Sequence, residues 1–112
     1  MQFSKSFTVK GDLNKTFDLI ESYVQGMKFK TTNFVRPNFL ILERGSRWGS
    51  RTSTKIEQPK TTLNISLKQG AEGIVVLCDY NIDVYGIILE SDKSTLESEV
   101  EKLHSFLQTA LT

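Results

Sequence analysis

An apolar side chain stands at every second position from Ile74 to Val84. In an extended strand this alternation puts the apolar residues on one face and polar residues such as Asp79, Asn81 and Asp83 on the other. A strand of this kind requires an antiparallel sheet with one covered face and one face that meets water. Because the strand is so long, we expect it to be curved.

Shorter stretches with the same period predict the other strands of the sheet. They are Phe3 to Val9, Lys28 to Phe34, Phe39 to Arg44, Arg51 to Gln58 and Thr61 to Gln69. Pro59 separates the last two and marks either a loop or a bulge in one bent strand, because proline donates no ladder hydrogen bond. Phe39 to Leu42 is apolar throughout, which predicts cover on both faces at that end.

Two segments have the apolar spacing of amphipathic helices. From Leu13 to Gln25 the spacing is four, three and four, with Asp12 as the predicted N-cap and Gly26 as the stop. Near the end of the chain, Ser94 and Glu97 have the spacing of a capping box, which predicts a helix start there. Its apolar stripe is Leu96, Val100, Leu103, Leu107 and Ala110.

Composition limits the class of protein. The chain has 112 residues, a length that predicts one α+β domain over residues 1–112. Charged residues make up 24% of it, and the net charge of +1 is too small to predict binding to nucleic acid or membrane from charge alone. No apolar run approaches the ~20 residues of a membrane span. The single cysteine excludes an intramolecular disulfide, and no apolar segment follows the N-terminal residues. We therefore expect a cytoplasmic protein.

The order of elements is strand, helix, four or five antiparallel strands and a C-terminal helix packed on the curved sheet. This order resembles the TATA-binding-protein-like folds and the helix-grip proteins, such as START domains and the major pollen allergens. The helix-grip proteins usually have two short helices after the first strand and six strands before the last helix. The shorter order here implies a smaller cavity or none. The segment Arg44-Gly45-Ser46 also resembles a loop of short prokaryotic proteins.

The resemblance and the aromatic content together predict a site for a small apolar or amphipathic ligand between the sheet and the C-terminal helix. The alternative is an ordinary close-packed core made by the same residues. The residues predicted to contact the ligand are Phe29, Phe39, Tyr80, Leu103 and Leu107.

The loop from Gly45 to Arg51 combines glycines, serines, arginines and a tryptophan. Converging backbone N–H groups, hydroxyls and guanidinium groups are the donors that hold anions. The loop therefore predicts an anion or nucleic-acid site, whose residues are Arg44, Ser46, Arg47, Trp48 and Arg51. The alternative is a solvated loop with Trp48 folded over the edge of the core, since phosphate loops precede helices and this one precedes a strand.

Catalytic and metal-binding residues are not predicted. His104, the one histidine, has Glu101 and Gln108 as helix neighbours, and neither completes a catalytic set with it. Cys78 lies on the apolar face of its strand, where cysteine packs as a small hydrophobe. Asp79 and Asp83 would be ~13 Å apart along the strand, too far for a glycosidase pair. One histidine and one cysteine do not make a zinc site, and no cofactor is predicted.

Three functions remain open at the level of sequence. The first is a non-catalytic module that binds a small apolar or amphipathic ligand. The second is a protein-interaction or self-association domain that uses an open sheet face or edge. The third and weakest is anion or nucleic-acid binding through the Gly45 to Arg51 loop.

Overall fold

The computed structural model describes residues 2–45, 60–82 and 90–111. These residues form β1 (Gln2–Val9), α1 (Leu13–Gln25), β2 (Lys30–Val35), β3 (Phe39–Arg44), β4 (Thr61–Gln69), β5 (Ile74–Ile82) and α2 (Glu90–Ala110). The predicted strand Arg51 to Gln58, Pro59, and Asp83 with Val84 lie outside the described residues.

The five strands form one antiparallel sheet in the order β1-β5-β4-β3-β2. Strands β2 to β5 follow one another as a meander, and β1 joins the far side of β5, which leaves β1 and β2 as the edges. The predicted fold class is confirmed: an α+β domain with the C-terminal helix packed on an antiparallel sheet.

The sheet has an inner face that is buried and an outer face that is open. In β5 the predicted alternation is confirmed over the described residues, because Val76, Cys78 and Tyr80 are buried whereas Val75 and Leu77 are exposed. Both helices cover the inner face and share one apolar core with it. The helical members of that core are Phe17, Ile20, Val24, Leu96, Val100, Leu103 and Leu107.

The ends of α1 follow the sequence closely. The Asp12 carboxylate accepts a hydrogen bond from the Lys15 backbone N–H at 2.8 Å, as an N-cap does. The helix ends at Gln25 and Gly26 is its C-cap, as predicted. The left-handed backbone conformation typical of helix ends is adopted two residues later, by Lys28 at φ 69°.

Two elements begin at least two residues away from their sequence-based predictions. Helix α2 begins at Glu90, so the predicted capping box at Ser94 is wrong, and Ser94 lies inside the helix. The first residue of the apolar stripe is Leu96, so the polar turn that precedes it has no periodic signal from which a helix could be predicted. Strand β2 begins at Lys30 instead of Lys28, because the left-handed residue precedes it.

Burial in β3 alternates along the strand. Leu40 and Leu42 are fully buried on the inner face, whereas Phe39 and Ile41 are half-buried on the outer face. The predicted cover on both faces is therefore partial. Arg44 lies on the same inner face as Leu40 and Leu42, so a charged side chain occupies a core position.

The two faces of the sheet should respond differently to the same substitution. Leu40 is 0% exposed and Leu77 is 40% exposed. We expect Leu40→Ala to lower the free energy of unfolding by about 2–5 kcal/mol, because it leaves a cavity in the core. Leu77→Ala should lower it by about 1 kcal/mol or less. Urea denaturation measures both, and equal losses would contradict the assignment of the faces.

Candidate functional site

An open cleft of about 880 Å³ lies where three elements meet. Its walls are the residues that follow α1, the end of β3 and the first half of α2. The lining residues that matter below are Tyr23, Met27, Lys28, Arg44, Ser98 and Lys102. The cleft therefore sits between the C-terminal helix and one end of the sheet.

The wall supplied by α2 is a stripe of polar residues. Ser94, Ser98 and Lys102 are four positions apart, so they lie one above the other on the same side of the helix. Thr95 and Glu99 form the adjacent row. Small hydroxyl side chains fill little space, and this part of α2 consequently leaves room beside the sheet.

A buried ion pair forms one side of the cleft. The Arg44 side chain is 6% exposed and the Glu99 side chain 14%. Arg44 Nη1 donates to Glu99 Oε2 at 2.8 Å, and Nη2 donates to Oε1 at 3.2 Å. This two-bond arrangement joins β3 to α2 with a fixed geometry, since both planar groups are aligned by two parallel hydrogen bonds.

Two aromatic side chains support this ion pair. The Tyr80 hydroxyl donates to Glu99 Oε1 at 3.1 Å, and the Arg44 Cζ lies 4.2 Å from the centre of the Phe29 ring. Burial, followed by the negative charge of Glu99, raises the pKa of Tyr80 well above its usual range. The hydroxyl therefore stays protonated and remains a hydrogen-bond donor.

Three cationic side chains line the cleft, and their partners are known within the part of the chain that the structure describes. Arg44 Nε is buried and has no hydrogen-bond acceptor there. Lys28 and Lys102 are exposed, and neither lies within ion-pair distance of a described carboxylate. Arg44 and Glu99 neutralise each other, so the lining carries an excess of positive charge.

The residues predicted to contact an apolar ligand occupy three different places. Phe29 and Tyr80 lie against the ion pair beside the cleft. Leu103 and Leu107 are buried in the core between the sheet and α2. Phe39 is on the outer face of the sheet, paired with Val35 and Ser66, away from both helices.

The residues predicted to bind an anion are mostly beyond the described part of the chain. Ser46, Arg47, Trp48 and Arg51 lie outside the described residues. Arg44 is inside them, at the end of β3, where its guanidinium group already holds the Glu99 carboxylate. The anion site in the loop stays a prediction.

The residues considered for catalysis are Cys78, His104 and Asp79, and each takes part in packing or in a hydrogen bond of the fold. Burial raises the pKa of the Cys78 thiol from 9.0 to about 12, so the thiol stays protonated at neutral pH and is a poor nucleophile. The His104 ring stacks on Phe7 at 4.5 Å, and the buried Nε2 has no described hydrogen-bond partner. The Asp79 carboxylate accepts from Ser4 Oγ at 2.7 Å on the outer face.

Sequence reasoning missed Glu99 and the polar stripe of α2. A signal for Glu99 was present, because Leu96, Glu99 and Leu103 have the helical spacing of one apolar face. A charged residue at such a position requires a buried partner. Arg44 lies on the inner face of β3 and carries the opposite charge.

Comparisons with known proteins support the fold. No family model matches the chain, and no curated protein matches it. The solved structure of the Aha1 dimer from Colwellia psychrerythraea matches with a TM-score of 0.70 at 9% identity, covering 99% of this chain and 96% of that one. The crystal structure of Ara h 8.0201 matches with a TM-score of 0.56 at 8% identity, covering 99% and 97%.

These likenesses support a helix-grip fold. They bear out the part of the resemblance that concerned the helix-grip proteins, and at such low identity they show the fold alone. Within residues 2–45, 60–82 and 90–111, no helix is long and apolar enough to cross a membrane. The same residues contain no group of three or more histidine, cysteine, aspartate or glutamate side chains arranged to hold a metal ion.

The buried ion pair should be far more sensitive to substitution than an exposed one. Glu99→Gln leaves the Arg44 charge buried without a counter-charge, and we expect a loss of about 3 kcal/mol in the free energy of unfolding. Glu101→Gln, which breaks the exposed pair with Lys5, should cost at most about 1 kcal/mol. Chemical denaturation compares them.

A double variant separates charge from packing at the same site. Arg44→Met with Glu99→Leu removes both charges and should recover much of the stability that Glu99→Gln loses, since two apolar side chains need no counter-charge. If Glu99→Gln were no more harmful than Glu101→Gln, Arg44 and Glu99 would not form a buried pair in solution.

Cys78 should make stability depend on pH under alkaline conditions. The thiol ionises near pH 9 in the unfolded chain and near pH 12 in the folded protein. Between these values the unfolded state binds fewer protons, so stability falls as the pH rises, by at most about 1.4 kcal/mol per pH unit. Below pH 9 this group causes no change.

The comparison variant is Cys78→Ala, which lacks the thiol. Urea denaturation from pH 8 to pH 10.5 should show the wild-type protein losing stability faster than the variant above pH 9. Parallel curves for the two proteins would mean that the Cys78 thiol is accessible to water in the folded state.

Proposed function

We propose that the protein is a binding module for a small amphipathic molecule, which it holds in the cleft between α2 and the end of the sheet. The observation that carries the proposal is the cleft itself, at about 880 Å³. Sites for small molecules are concave and typically have volumes of about 300–1,000 Å³. The likeness to helix-grip structures is consistent with this function.

The cleft offers the two kinds of surface that an amphipathic molecule needs. Tyr23 and Met27 supply apolar contact area, and Ser98 with the Arg44–Glu99 pair supplies polar groups that fix orientation. The Tyr23 ring is held by stacking on Phe106 at 4.7 Å. A side chain held in this way loses little freedom when a ligand binds, which favours affinity.

The interior between the sheet and the helices is the less favourable place for a ligand. Leu103, Leu107 and the inner-face residues Ile65 and Val76 are at most a few per cent exposed and belong to one continuous core. Close-packed interiors of this kind admit a ligand only after rearrangement. The proposed site is consequently the cleft at the end of the sheet, with Phe29 and Tyr80 behind it.

Self-association through the outer sheet face is the second candidate. Val35, Val75 and Leu77 are 39–47% exposed there, and Phe39 lies in the same row as Val35 and Leu77. Exposed apolar side chains on a sheet face favour contact with another protein surface. The cleft is preferred as the functional site because it combines volume, polar groups and fixed side chains.

A neutral fluorescent probe, N-phenyl-1-naphthylamine, tests the binding function. We expect saturable fluorescence enhancement with one probe per chain. Ser98→Phe, which places an aromatic ring in the cleft, should weaken binding by about tenfold or more, equivalent to 1.4 kcal/mol. Ser105→Phe, on an exposed position of the same helix beyond the cleft, should leave binding unchanged.

The outer face supplies a second comparison. Leu77→Ser should not affect the affinity for the probe if the cleft is the site. Absence of saturable binding, or binding that Leu77→Ser weakens while Ser98→Phe does not, would overturn the proposal. Circular dichroism of each variant confirms that the comparison is made between folded proteins.

A further inference from the structure

We infer that the molecule bound in the cleft carries an anionic group, which Lys28 and Lys102 hold at the cleft walls. This inference rests on the proposed function and specifies the chemistry of its ligand. The shared chemistry is that of a carboxylate or a phosphate attached to an apolar body. The charges that line the cleft support it.

The charge of the cleft lining is unbalanced within the described residues. Among the lining residues the one carboxylate is that of Glu99, and it accepts hydrogen bonds from Arg44 and Tyr80. Its single negative charge is already balanced by the charge of Arg44. Lys28 and Lys102 line the same space from different elements, and neither forms an ion pair with a described carboxylate.

Apart from Glu99, the acidic side chains that the structure describes on α2 lie on another side of the helix. Glu97 and Glu101 lie toward β1, where both approach Lys5 Nζ, at 3.9 and 3.2 Å. Lys102 belongs to the stripe with Ser94 and Ser98 that lines the cleft. The described part of α2 thus presents Lys102 to the cleft together with Glu99, whose charge is balanced by Arg44.

Lys28 reaches the cleft from an unfavourable backbone conformation. Its φ of 69° lies in the left-handed region, where glycine or asparagine is the usual residue at the end of a helix. A lysine at this position is disfavoured by the local backbone. Its side chain is one of the two cleft cations that form no ion pair with a described carboxylate.

Hydroxyl donors lie beside these cations. Ser94 and Ser98 line the cleft from the same side of α2 as Lys102. A carboxylate or phosphate oxygen accepts hydrogen bonds from such hydroxyl groups, and it would be attracted by the same cations.

Three naphthalene compounds of similar size test the charge of the ligand. 1-Naphthoate and 1-naphthyl phosphate are anionic, and 1-naphthamide is neutral. Each is used to displace N-phenyl-1-naphthylamine from the wild-type protein at low and high salt. We expect the anions to displace the probe at concentrations about tenfold lower than the amide, with an advantage that shrinks as salt rises.

Matched lysine variants assign this advantage to the cleft. In Lys28→Met with Lys102→Met, the anions should lose their advantage while the neutral probe still binds. Lys28→Arg with Lys102→Arg keeps the charge and should keep the advantage. Lys15→Met with Lys68→Met changes the net charge equally at exposed positions that do not line the cleft, and it should also keep the advantage.

The outcomes separate this inference from the proposed function. If the neutral probe binds in the cleft but anions and amide compete equally, the ligand needs no charge and the inference fails while the binding function stands. If Lys15→Met with Lys68→Met removes the advantage as strongly as the cleft variants, the effect is general attraction and the inference also fails. If no probe binds, both fail.

Discussion

The ion pair between Arg44 and Glu99 is the interaction on which the arrangement of the cleft depends. It connects the end of β3 to α2 and places two opposite charges in a largely dry environment. Removing charges from water is costly, and a buried pair compensates only when its hydrogen bonds are well formed. Here two hydrogen bonds join the groups, Tyr80 adds a third, and the Phe29 ring lies against the guanidinium group.

The same helix packs in two different ways along its length. From Val100 to Leu107 its apolar side chains are buried against the sheet and α1. Nearer its start, Leu96 is still buried in the core, but small hydroxyl residues and Glu99 stand beside it, and the space next to them stays open. The cleft is therefore a consequence of side-chain size and charge at defined positions of one helix, within a fold whose remaining interior is close-packed.

Periodicity predicted the parts of the fold that are controlled by one buried face. The bounds of α1, β3 and β4 agree with those predicted from the sequence, because inward-facing residues recur with the period of the element along each of them. The start of α2 did not follow, since its first residues are polar and carry no periodic signal. The second strand begins later than predicted for another reason. Lys28, its predicted first residue, has a left-handed backbone conformation, which sequence preferences assign to glycine.

The site was less predictable than the fold. Apolar and aromatic residues such as Leu103 and Tyr80 could be assigned to the interior, but the sequence does not say which part of an interior remains open. Glu99 and Arg44 each occupy a core-facing position in their own element. They are 55 residues apart in the sequence, and only the packing of α2 against the end of β3 makes them partners. Lys28 and Lys102 come together through tertiary structure alone.

Two-dimensional ¹H–¹⁵N NMR shows directly whether a small molecule binds at the cleft. On titration with N-phenyl-1-naphthylamine, we expect the largest chemical-shift changes at the amides of Lys28, Gly45 and Ser98. The amides of Ser66 and Leu77 on the outer face should change little. Changes concentrated on the outer face, or no saturable change at the cleft amides, would mean that the cleft is not the binding site.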